Sequence, residues 1–92
     1  SKIHYSPGIP INLNVKNAGP NVAFILIKKR KKKHKNYFYL SKNRNLKQAA
    51  KNLYQTLRTI KKKNYKSIAV EAIPNKGFGE AINDRLRRAS LK

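Results

Sequence analysis

Cysteine and methionine are both absent from the 92 residues, and acids nearly so: Glu71, Glu80 and Asp84 stand against 23 lysines and arginines. Without cysteine there is no disulfide, no thiolate metal site and no cysteine nucleophile, and redox chemistry leaves the compartment open. Nothing before residue 71 can serve as a carboxylate base. The two histidines, His4 and His34, have no second ligand at metal spacing, so no metal site is expected. The longest apolar run, Val22 to Ile27, is far too short to cross a bilayer, and no signal-peptide pattern opens the chain. A soluble, cytoplasmic protein is the expectation. The lack of methionine leaves two readings, an initiator removed before Ser1 or a piece of a longer protein, and the linker-like opening "SKIHYSPG" favours the expectation of a piece.

What is abundant is positive charge, a formal +20. Such a charge attracts polyanions, and a basic patch is the usual footprint of a nucleic-acid-binding module. The plainer reading is compositional. Lysine outnumbers arginine, Asn and Ile are also frequent, and the lysines spread over loops and helix faces as an AT-rich coding sequence would place them. The plainer reading is preferred here. Lys31, Lys32, Lys33 and Lys35 are the candidate polyanion contacts under the other.

Pattern divides the chain into six elements. Ile9, Ile11, Leu13 and Val15 alternate with polar residues, which is strand periodicity. "KNAGP" turns the chain into "NVAFILI", a continuous apolar run suited to a strand buried on both faces. "KKRKKKHK", residues 28 to 35, is a run of like charges that reads as an exposed loop or a mobile strand extension. "NYFYL" is a third strand. Asn45 is the best-placed N-cap for a helix whose apolar positions are Leu46, Ala49, Ala50, Leu53, Leu57 and Ile60, ending in "KKKN". "SIAVEAIP" is a fourth strand stopped by Pro74. A final helix follows, with Phe78, Ala81, Ile82, Leu86 and Ala89 on one side.

The order is β-β-β-α-β-α. Tyr37 to Ile73 has the length of a βαβ unit, which requires parallel, neighbouring or near-neighbouring strands. A hairpin is the natural connection between the first two strands, with a sharp parallel return as the other geometry. The fold class is a small α/β sandwich on a mostly parallel four-stranded sheet.

Candidate chemistry is sparse. Glu71 lies near the carboxyl end of a strand, where α/β sheets collect their sites, or is simply an acid balancing lysines. Asp84 precedes Arg87 and Arg88 by helical ion-pair spacing. "KGFGEA" lacks the third glycine of a dinucleotide fingerprint and the Gly-Lys-Ser/Thr ending of a P-loop, so it is a weak phosphate motif. Tyr37 and Tyr39 interleave with Phe38 and Leu40. Aromatic stacking of bases is one use for them, but Phe38 and Leu40 read more simply as core, with the tyrosines on the other face.

Three stretches together resemble one family. "HYSPGIPI" is similar to the His-Tyr-small-Pro linker joining the two domains of the longer threonylcarbamoyl-AMP synthases. "NLKQAAKNLYQTLR" resembles the helix of their C-terminal domain, and "IAVEAIPNKGFGEAINDRLRRAS" resembles that domain's closing signature, Gly-x-Gly-x-Ala-Ile-x-Asp-Arg-Leu-x-Arg-Ala. The resemblance covers nearly the whole chain and is weakest from Lys16 to Arg44. It implies an interdomain linker at 1–9 and a Rossmann-like accessory domain at 10–92. In that family an N-terminal YrdC-like domain, absent from this chain, condenses ATP, L-threonine and bicarbonate into threonylcarbamoyl-AMP and pyrophosphate. The product serves the threonylcarbamoyladenosine modification of tRNA.

By the same resemblance this chain carries no catalytic residue and binds no cofactor. ATP with magnesium belongs to the catalytic domain, which is the expected partner. Lys2, His4 and Tyr5 would be linker residues facing the nucleotide site. Glu71, Gly77, Gly79, Asn83 and Arg85 would be signature or docking positions. The glycines would let the last helix approach the sheet, and Asn83 and Arg85 would face the linker or the catalytic domain. Many relatives carry a helix between the first two strands, for which "KNAGPN" leaves little room. The competing reading is a basic RNA-binding module, with weak tRNA or other polyanion contacts, in which loop 28–35, the Tyr37/Tyr39 face and the helix lysines converge.

Overall fold

A computed structural model describes residues 8–90. The elements are β1 (Ile11–Asn12), β2 (Ala23–Leu26), β3 (Tyr37–Tyr39), α1 (Leu46–Lys62), β4 (Ile68–Val70) and α2 (Phe78–Ser90), in the expected order. The strands form one sheet, ordered β1-β4-β2-β3, with every neighbouring pair parallel.

The hairpin expectation is overturned. β1 and β2 are parallel, and β4 lies between them. The connection at 13–22 is long enough to cross β4, and its apolar residues supply the reason it does so. Val15, Ala18 and Val22 pack on Phe24, Leu26 and Ala69, covering a face of the sheet that no helix covers. In a right-handed topology, crossovers running in opposite lateral directions lie over opposite faces. The β1–β2 crossover and the β3–α1–β4 crossover obey that rule.

Both helices pack on the other face. Ile25, Ile27, Ile68 and Val70 from the sheet meet Leu53, Leu57 and Ile60 of α1 and Ile82 and Leu86 of α2. β2 is thus buried on both sides, which is why its sequence does not alternate. Phe38 and Leu40 belong to the helix-side core, while Tyr37 and Tyr39 pack on the opposite side, as their alternation requires. α1 starts where Asn45 Oδ1 accepts the Gln48 N–H at 3.0 Å. It ends at Lys61 and Lys62, whose charges suit the helix's negative end.

Candidate functional site at the carboxyl ends of the strands

Parallel strands deliver their following segments to one end of the sheet, and here each segment brings a charged residue. Glu71 directly follows β4. Its backbone N–H donates to Ile25 O at 3.0 Å, and its Oε1 accepts the Ile27 N–H at 2.6 Å. The carboxylate therefore caps the end of β2, where the ladder would otherwise leave a donor unpaired.

Arg30 follows β2 and is held from several sides. Its guanidinium donates to Asn17 Oδ1 at 3.1 Å and to Lys16 O at 3.0 Å, and lies 3.8 Å from Glu71 Oε2. Its carbon centre sits 4.9 Å over the Phe24 ring and 6.0 Å from Tyr37. Its backbone N–H donates to the Tyr39 hydroxyl at 3.0 Å. A guanidinium can stack on rings and fork to two acceptors at once, which an ammonium cannot. The basic run is therefore a packed loop at its start, and the expectation of a wholly exposed or mobile segment is corrected at Arg30. Lys28 and Lys29 are tied in too, through a bridge to Asn43 and a 3.0 Å bond from Lys29 N–H to Lys42 O. Lys31, Lys32, Lys33 and Lys35 are exposed.

Beside Glu71 and Arg30 lies an open depression of about 420 Å³, lined also by Val15, Lys16, Arg44 and residues 72–74. Charge and apolar wall are combined there. Sequence reasoning singled out Glu71 but missed Arg30, Lys16 and Arg44, because only the topology brings residues 16, 30, 44 and 71 to one place.

The closing helix is built by its glycines and one amide. Gly77 has φ +57, a left-handed turn residue between β4 and α2. A Cβ on Gly79 would overlap the Pro74 carbonyl oxygen, so a bare backbone is what allows α2 this close to the turn. Asn83 is buried, and its Nδ2 donates to Ile73 O at 2.9 Å and Asn75 Oδ1 at 3.3 Å. Asn83 thus faces the turn that precedes its own helix, and not another part of the protein as expected. A buried carbonyl without a partner is costly, and this amide supplies the donor. Arg85 is exposed, in a groove between the helices with Ala50, Leu53, Tyr54, Ala81 and Ile82.

The family described as the C-terminal domain of threonylcarbamoyl-AMP synthase matches residues 1–90. The chain belongs to that family. No curated protein and no solved structure matches it. A threonylcarbamoyl-AMP synthase C-terminal domain is part of an enzyme that serves tRNA modification, and the fold agrees with the small Rossmann-like sheet expected of it.

Within this C-terminal domain the expected residues fall into separate groups. Glu71 lies at the carboxyl end of the sheet, and Gly77, Gly79 and Asn83 shape the β4–α2 turn. Lys2, His4 and Tyr5 lie outside the described residues. Loop 28–35 stands beside the tyrosine face, with the His34 ring 4.9 Å from Tyr37. α1 packs on the opposite side of the sheet from Tyr37 and Tyr39 and its lysines are exposed, so these groups do not share one surface. Among the described residues no His, Cys, Asp or Glu cluster could hold a metal ion, and no helix is long and apolar enough to cross a membrane.

Proposed function

We propose that this chain is the non-catalytic accessory domain of an L-threonylcarbamoyladenylate synthase, and that it anchors the linker gating the active site. The family match carries the first part of this reading, because it spans the linker-like opening as well as the domain.

The gating part is supported by the way the sheet begins. Ile9 packs against the helix-side core, and the Ile68 N–H donates to Pro10 O at 2.9 Å. The chain is thus fixed to the sheet within a few residues of Lys2, His4 and Tyr5. A segment held at its far end has fewer conformations to search when it closes over reactants, and closure excludes water from the reaction. ATP, threonine and bicarbonate would be handled by the YrdC-like domain, and this domain would set where the cover is hinged.

The test is Tyr5→Ala in the full-length enzyme, read as formation of threonylcarbamoyl-AMP and release of pyrophosphate. A fall in rate with the fold intact is expected. Unchanged use of ATP and threonine would sink the gating role.

A further inference from the structure

We infer that the depression at the carboxyl ends of the strands is a seat for a phosphate-bearing anion, gripped by Lys16 and Arg44 over the Arg30–Glu71 pair. The inference does not depend on the gating role. It starts from convergence. Lys16 comes from the segment after β1, Arg30 from that after β2, Arg44 from that after β3, and Glu71 from the end of β4. Four separate stretches meet, three bringing a cation and one a carboxylate.

The carboxylate does not cancel the site. Glu71 spends Oε1 on the Ile27 N–H and has Oε2 near Arg30, so its charge is engaged within the floor. Arg30 is likewise occupied by Lys16 O, Asn17 Oδ1 and the Phe24 ring. Lys16 and Arg44 differ. Both side chains are exposed, and neither has an ion-pair or hydrogen-bond partner among the described residues. They supply the uncompensated positive charge at the mouth.

The backbone beneath them is fixed before any ligand arrives. Val15 N–H donates to Val70 O at 2.9 Å, and Arg44 N–H to Ile27 O at 2.8 Å. Arg44 holds φ at +59, a conformation that non-glycine residues seldom adopt and that the surrounding structure must enforce. With the backbone already fixed, only the two side chains have to be ordered on binding, which lowers the entropic cost. Val15, Ile73 and Pro74 add an apolar wall, as in small-molecule sites at this end of α/β sheets. A phosphate matches the two free cations: it offers several acceptor oxygens, and an arginine can bind two of them at once.

The experiment follows backbone amide shifts of this chain by NMR, titrating pyrophosphate in one arm and a short single-stranded RNA in the other, at low and near-physiological salt. Shifts concentrated at residues 15–16, 44 and 71–74 that persist at the higher salt support the seat. The arm that produces them tells a free phosphoanion from a nucleic-acid backbone. The double variant Lys16→Gln/Arg44→Asn should weaken binding by roughly tenfold or more, because it removes both charge-assisted hydrogen-bond donors to the anion. Asn keeps the left-handed backbone accessible at residue 44. The variant Lys47→Gln/Lys51→Gln, of equal charge but on α1, should bind as the parent does. If both double variants weaken binding alike, or shifts spread evenly over Lys31–Lys35 and the α1 lysines, the +20 acts as diffuse charge and there is no seat.

Discussion

Glu71 and Ile27 close a ring across neighbouring strands: Glu71 Oε1 accepts the Ile27 N–H at 2.6 Å, while the Glu71 N–H donates to Ile25 O at 3.0 Å. One residue thus both continues the β4–β2 ladder and caps its end. Glu71→Ala would leave the Ile27 donor unpaired and remove the carboxylate beside Arg30. A loss of about 1–3 kcal/mol is expected, read by urea denaturation. Glu71→Gln keeps an acceptor and should recover much of it. Equal losses in both variants would mean that the charge, and not the hydrogen bond, is what matters.

The two glycines before and within α2 should respond differently. Gly77→Ala meets open space but must hold φ at +57, which costs about 1 kcal/mol. Gly79→Ala drives a methyl into the Pro74 carbonyl oxygen, and the helix must shift to admit it. Overpacking of that kind costs about 1–3 kcal/mol. Thermal unfolding of the two variants should rank Gly79→Ala as the more damaging, and the reverse order would contradict the close approach.

Asn83→Leu replaces the amide by an apolar group of similar size. The Ile73 carbonyl loses its 2.9 Å donor, and about 1–3 kcal/mol of stability should go with it. Hydrogen exchange in the first turn of α2 should quicken as well, because Asn83 ties that helix to the preceding turn. Unaltered exchange would show that the helix is held by its apolar face alone.

Arg30→Lys keeps the charge and loses the fork. A lysine cannot reach Lys16 O and Asn17 Oδ1 together while keeping its charge over the Phe24 ring. Amides at 15–18 and 28–35 should exchange faster, by about tenfold for each 1.4 kcal/mol of local stability lost, while the helix-side core stays protected. If the loop is equally protected in Arg30→Lys, charge alone would suffice to hold it.

Much of the fold is legible in the sequence because its signals are local. The Asn45 cap, the apolar spacing of α1 and the alternation around Phe38 each report on neighbouring residues, and each has its counterpart in the structure. The position of β1 is not local. Whether residue 11 pairs with β2 or with β4 depends on what the 13–22 segment covers, and Val15, Ala18 and Val22 show their role only once the bare sheet face exists. Arg30 is hidden for a related reason. In a run of eight basic or near-basic residues nothing distinguishes it from its neighbours except being the arginine, and its partners lie at residues 16, 17, 24, 39 and 71.

The placing of β4 has a bearing on how the chain comes to be folded at all. Ile11 waits for Ile68 as its partner, and Ala23, Phe24 and Ile25 wait for Ile68, Ala69 and Val70. As the polypeptide leaves the ribosome, β1 has no edge to join until residue 68 has emerged behind it. Pairings between such distant residues are slow to form. Of the four strands, the one synthesised last is the one that joins the two halves of the sheet, so β1 stays unpaired through the synthesis of β2, β3 and the whole of α1.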